Sequence, residues 1–106
     1  WSTMPAVLKG FLDKVLLYGY AYTYGENGML EGLLSKQAVV ITTMETPNSM
    51  FDEMINNPVK NQFINATLGS CGVQTIRHFQ IDQINSGTSD YRKETFNKIV
   101  EYFKGL

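Results

Sequence analysis

The sequence predicts an α/β layer fold with a parallel sheet. Three observations carry it. Helical and strand periodicities alternate along the chain, in the order helix, strand, helices, strand, helix. The clearest strand, Gln37 to Thr43, is β-branched and apolar on both faces, as a parallel strand covered by helices is. Last, the 106 residues are 43% hydrophobic and only 18% charged, which suits one packed domain and excludes a disordered chain.

Leu8, Phe11, Leu12, Val15 and Leu16 recur at the spacing of one buried helical face, so the first element is a helix. Ser2 or Thr3 is expected to cap it, Pro5 to stand in its first turn, and Tyr18 or Gly19 to end it. The stretch Tyr18 to Gly28 holds four tyrosines and three glycines and reads as a long loop with an aromatic surface, with a turn signal at Asn27-Gly28. After the strand, Thr46, Pro47 and Asn48 break the chain, and two helical pieces are expected near 48–56 and 58–70. Asn57-Pro58 opens the second, and Gly69 and Gly72 close it.

Thr75 to Asp82 is the second strand, and Arg77 and His78 make it polar enough for an edge. Asn85 to Ser89 is a turn. The last helix turns Phe96, Ile99, Val100 and Phe103 to one side, with Asp90 in its first turn and Lys104 in its last, as the helix dipole favours. Two strands make a marginal sheet alone, and no strand precedes the first helix. The chain therefore reads as the C-terminal part of a larger doubly wound domain.

Composition narrows the function. Nine basic and ten acidic residues give a formal charge of −1, with no basic run for nucleic acid. The longest apolar run, Ala38 to Ile41, is far too short to span a bilayer. A single cysteine points to no oxidising compartment, and a cytoplasmic location is expected. Cys71 reads as a small buried residue, and His78, inside a strand, as structural. Asn65-Ala66-Thr67 matches a glycosylation acceptor by chance. No metal-ligand spacing, Walker motif or nucleophile elbow occurs.

What remains is a crevice. Thr42 and Thr43 end the first strand, where open α/β sheets bind ligands. Trp1, Ser2 and Thr3 lead into a helix N-terminus with free N–H groups. The tyrosine stretch offers flat walls, so the site suits a planar ring. Alternatively, threonines merely end a strand and tyrosines cover a core.

Trp1-Ser-Thr-Met-Pro-Ala-Val-Leu-Lys-Gly-Phe-Leu-Asp-Lys-Val resembles the W-x-x-x-P-A-x-L-K-G-[WF]-x-[DE]-[RK]-V segment of the flavodoxin-like NAD(P)H:quinone oxidoreductases, the DT-diaphorase family. Gly19-Tyr-Ala-Tyr-Thr-Tyr is similar to its F-A-Y-T-Y stretch. Leu34-Ser-Lys-Gln-Ala-Val-Val-Ile-Thr-Thr is similar to its S-K-K-A-x-x-x-x-T-T strand, and Ser49-Met50-Phe51 to its S-M-Y. The resemblance implies a flavodoxin-like fold and a flavin, FMN or FAD, reduced by NAD(P)H and reoxidised by a quinone. It implies ring contacts from Trp1 and Ser2, and from Thr42, Thr43, Met44 and Glu45 in the loop that follows. It implies a quinone pocket lined by Phe51 and by Tyr22 and Tyr24, the tyrosines arriving from the partner subunit of a homodimer.

Some positions depart from the family. Met44, Glu45, Thr46 and Pro47 stand where the family has a glycine-rich turn, and Glu45 is expected to face solvent. Phe51 lacks the hydroxyl of the family's tyrosine, and Asn57 stands near the place of its histidine. The family's flavin-phosphate loop and first strands have no counterpart among these residues, so association with an N-terminal half is expected. Two rivals follow: a non-catalytic α/β interaction or dimerisation module, and a flavodoxin-like electron carrier, in which the tyrosine loop would have no role.

Overall fold

The computed structural model describes residues 1–106. Helix α1 spans Ala6–Val15. Strands β1 (Tyr22–Tyr24) and β2 (Leu30–Gly32) form an antiparallel hairpin. Strand β3 spans Lys36–Thr43 and helix α2 Asn48–Glu53. A helix wound with the wider π repeat covers Val59–Leu68, strand β4 runs Val73–Ile81, and helix α3 spans Ser89–Lys104.

β3 and β4 pair in parallel from Lys36↔Val73 to Thr43↔Ile81, with a bulge that skips Ile76. The connection between them carries α2 and the π-wound helix, as a parallel pair requires. The core gathers on this pair: Val40, Phe79 and Ile81 from the strands, Phe51 from α2 and Cys71 before β4 are buried. Tyr102 of α3 meets the Phe79 ring edge-on at 5.3 Å. No helix is long and apolar enough to cross a membrane.

Several expectations are corrected. Pro5, not Ser2 or Thr3, stands at the start of α1, and no side chain caps it. The helix stops at Val15, because Leu16 leaves helical geometry at ψ 65°. The tyrosine stretch is not a long loop. Tyr22 to Tyr24 pairs with Leu30 to Gly32 across a turn at Asn27-Gly28, where Gly28 supplies a φ of +76° and the Asn27 side chain accepts from Met29 N–H. Two-stranded pairs therefore occur twice rather than once.

The hairpin docks where two glycines meet. The Gly72 backbone packs on Gly32, and Leu34 N–H donates to the Cys71 oxygen at 3.0 Å. Only Gly at 32 has room for that approach, and Gly72 also holds a φ of +79°. Thr88 caps α3 by accepting from Tyr91 N–H at 3.0 Å, and Asn57 Oδ1 accepts from Lys60 N–H at 3.1 Å as the π-wound helix begins.

The amphipathic faces are not fully covered. α1 and α3 contain no buried residue; Val7 is 86% exposed and Phe11 59%. β3 pairs only with β4, so its other edge is open. The radius of gyration is 16.0 Å, against about 13 Å for a compact domain of this length. The periodicities are those of buried helices, but these residues cover the two faces only in part: Leu12 and Val15 of α1, Leu16 just after it, and Ile99 and Tyr102 of α3 are half-buried.

Candidate functional site

A cleft of about 370 Å³ lies at the carboxyl end of β3. The segment Ser2 to Pro5 forms one side, Phe51 and Phe63 another, and Val40 to Met44 the floor. The last four residues of β3 line it, with Met44 beyond them. Side chains of a strand alternate between faces, so such a run means that the cleft follows the open edge of β3 as well as its end.

The structure brings together Ser2, Thr42, Thr43, Met44 and Phe51. Ser2 has a φ of +51°, which turns the chain sharply between Trp1 and Thr3. Phe51 is 4% exposed and is the buried anchor of the wall. Thr42 Oγ1 is hydrogen-bonded to His78 Nε2 at 2.9 Å, which fixes the threonine from the neighbouring strand. Burial pushes the His78 imidazole below its ordinary range, although the Asp52 carboxylate opposes this.

Trp1 does not join them; its side chain stands in solvent. Glu45 is exposed as expected, yet it is not free. Its carboxylate accepts from Asn85 N–H at 2.9 Å and Ser86 N–H at 2.8 Å, and the Ser86 side chain together with these amide bonds holds the carboxyl below its ordinary pKa. The carboxylate thus ties the loop after β3 to the loop after β4. Met44 adds two backbone bonds to the same joint, donating to Ile81 O at 2.9 Å and accepting from Ile84 N–H at 3.1 Å.

Tyr22 and Tyr24 lie elsewhere. With Leu12, Leu16 and Cys71 they line a second cleft of about 440 Å³ beneath α1. Their rings and that of Tyr18 form a cluster with centroids 6.0 to 6.2 Å apart. Within one chain, the tyrosines do not wall the first cleft. Cys71 is buried, and burial pushes its thiol up, away from the reactive thiolate.

Two groups that support the site were not singled out from the sequence. Asp82, at the end of β4, is buried, and its Oδ2 accepts from Asn48 N–H, the first amide of α2, at 2.8 Å. Its Oδ1 accepts from the Tyr91 hydroxyl at 2.5 Å. Burial alone would raise its pKa, but the bonds from Tyr91, Asn48 and Gln83 outweigh this, and the carboxyl lies below its ordinary value of 3.8. A lone acid following Ile81 at the end of a strand was the available signal. Gln62 and Phe63, the other missed pair, line the cleft from the π-wound helix and carry no motif.

Known proteins agree with this architecture. The crystal structure of Smu.1420 from Streptococcus mutans superposes on the whole chain with a TM-score of 0.79 at 30% identity, using 55% of that protein. An uncharacterized NAD(P)H oxidoreductase of Haemophilus influenzae is 35% identical over 78 residues, which are 72% of this chain and 38% of that protein. A ribosyldihydronicotinamide dehydrogenase-like protein of Penicillium crustosum is 40% identical over 52 residues, 42% of this chain and 20% of its own length. The chain thus spans well under half the length of these curated relatives. Proteins described by a flavodoxin-like fold match residues 1–103, nearly the entire sequence, and the chain belongs to that family.

Proposed function

We propose that this chain is the C-terminal part of a flavin-dependent NAD(P)H:quinone oxidoreductase of the DT-diaphorase kind. The observation that carries the reading is the convergence of the Ser2–Pro5 segment, the strand end Thr42–Met44 and Phe51 on one cleft. The names of the Haemophilus and Penicillium relatives support NAD(P)H-linked oxidoreduction.

The residues fit a planar ring system. Apolar walls from Phe51, Phe63 and Leu8 suit its faces, and Thr42, Thr43, Ser2 and Gln62 offer polar atoms to its edge. A bound flavin, FMN or FAD, supplies the acceptance of hydride from NAD(P)H and its delivery to a quinone. The chain's own work is to orient. Phe51 excludes water from one side. Thr42, held by His78, keeps the strand end in register. The Glu45 and Met44 bonds to the loop after β4 stiffen a segment that the family builds with glycines. Phe51 has no hydroxyl, so no proton is relayed from that position.

The open edge of β3 and the exposed α1 face are filled, in this reading, by an N-terminal half that also carries the phosphate loop. Tyr22 and Tyr24 then wall the quinone pocket of the partner subunit in a homodimer. The location is cytoplasmic.

The test is to titrate the chain with lumiflavin, which is ring alone, and with FMN, following flavin fluorescence. Both should bind weakly and alike, and Thr43→Val and Phe51→Ala should weaken both. An FMN affinity far above that of lumiflavin would reveal a phosphate site inside residues 1–106 and overturn the assignment. Equal binding by all variants would overturn the cleft.

A further inference from the structure

Strand β4 carries one side chain whose polar atoms are directed to the helix that walls the cleft and to the segment just after it. Gln80 Nε2 donates to Asn48 Oδ1 at 2.8 Å and to Asp52 Oδ1 at 3.1 Å. Gln80 Oε1 accepts from Asn57 Nδ2 at 3.0 Å, and the Gln80 backbone oxygen accepts from Asn48 Nδ2 at 3.4 Å. Asn57 Nδ2 also donates to Asp52 Oδ1 at 2.8 Å, which closes the network. Asn48 opens α2, Asp52 lies one turn on, and Asn57 follows its end. Phe51 sits between the first two.

A six-residue helix cannot hold its own geometry, since isolated helices below about 12 residues are marginal in water. Tertiary contacts must hold it. One is the Phe51 ring, which sets how deep the helix lies. A second is Asp82 Oδ2, which accepts from the Asn48 amide at the helix start. These two leave the far end free to swing, whereas three side-chain partners of Gln80 spread along ten residues set the helix direction. Gln80 does not line the cleft itself.

We propose that Gln80 is a positioning residue: it clamps α2 to the sheet and so fixes the Phe51 ring as a wall of the cleft. That wall's role in ring binding rests on the function proposed above. Gln80 is half-buried, and its partners can turn to water when released. Loss of the clamp should therefore loosen α2 without unfolding the sheet.

Amide hydrogen exchange on the full chain tests this in wild type, in Gln80→Leu, and in Gln80→Glu, which keeps the size of the side chain and removes its donor to Asn48 and Asp52. In Gln80→Leu, the amides of Phe51, Met54 and Asn57, bonded within and just after α2, should exchange about tenfold faster, with β3 and β4 within about twofold of wild type. Lumiflavin affinity should fall by about fivefold. Gln80→Glu should do the same at unchanged side-chain volume, which a purely structural loss of volume would not produce. Unchanged α2 exchange would overturn the proposal, as would equal acceleration throughout β3 and β4, or weaker lumiflavin binding with α2 exchange intact. A wild-type chain that binds no lumiflavin would refute the ring site, while the exchange data would still decide the clamp.

Discussion

Removing the Asp82 carboxylate should destabilise the joint between α2 and α3 in a pH-dependent way. In Asp82→Ala, Asn48 N–H loses its acceptor, at present 2.8 Å away, and the Tyr91 hydroxyl exchanges its 2.5 Å carboxylate partner for the Asp82 backbone oxygen at 3.3 Å. A donor left without its partner costs about 1–3 kcal/mol, and the weakened second bond brings the total to roughly 2–4 kcal/mol. Asp82→Asn should cost less, about 1–2 kcal/mol, because one amide oxygen can still accept from Asn48 while the Tyr91 hydroxyl turns to accept from the new NH₂. The folded carboxyl lies below its ordinary 3.8, so the unfolded chain binds the proton more readily. Its contribution is therefore complete above that value and is lost as pH falls through the folded pKa. Urea unfolding at fixed protein concentration, at pH 7 and at steps below pH 4, measures both effects. The deficit of Asp82→Ala should be largest at pH 7 and shrink in acid. A deficit under about 0.5 kcal/mol at pH 7, or one that grows in acid, would refute the brace.

Gly32→Ala should detach the hairpin, since an added Cβ would fall within 2.6 Å of Gly72 Cα and meet backbone that cannot rotate away; a cost of about 1–3 kcal/mol in unfolding, with loss of the Leu34 amide's exchange protection, is expected. In the complete protein, Tyr22→Ala and Tyr24→Ala should raise KM for quinone more than KM for NAD(P)H and leave kcat within a few-fold, because a stacking wall adds binding to ground and transition states alike; steady-state kinetics check this. His78 is held below its ordinary 6.5, so the unfolded chain protonates first and stability should decline as pH drops below 6.5; His78→Gln should flatten that limb of the unfolding profile. The open edge of β3 and the exposed apolar stripes should make the chain self-associate at micromolar concentration, and a sharp monomer in sedimentation would contradict it.

Local chemistry alone determined the α/β class and the parallel strand. The run Ala38-Val-Val-Ile-Thr-Thr shows no alternation of apolar and polar residues, the pattern of a parallel strand meant for cover on both sides, although Ile41 is exposed within these residues. The helices at 6–15 and 89–104 were legible from period; Ser2, Thr42 and Thr43 were assigned to a crevice by the helix start and strand end they occupy, and Phe51 by the family resemblance alone. The hairpin was not legible, because its docking depends on Gly32 meeting Gly72 forty residues away, and no local pattern encodes a backbone-to-backbone approach. Nor could spacing show that Glu45 binds the amides of Asn85 and Ser86, or that Asp82 and Gln80 brace α2. Those bonds join loops that meet only once β3 and β4 have paired. Helical period states which face of α1 is apolar. What covers that face is a property of the assembled fold, and within these residues it is only partly covered, with Leu12, Val15 and Leu16 half-buried and Val7 and Phe11 exposed.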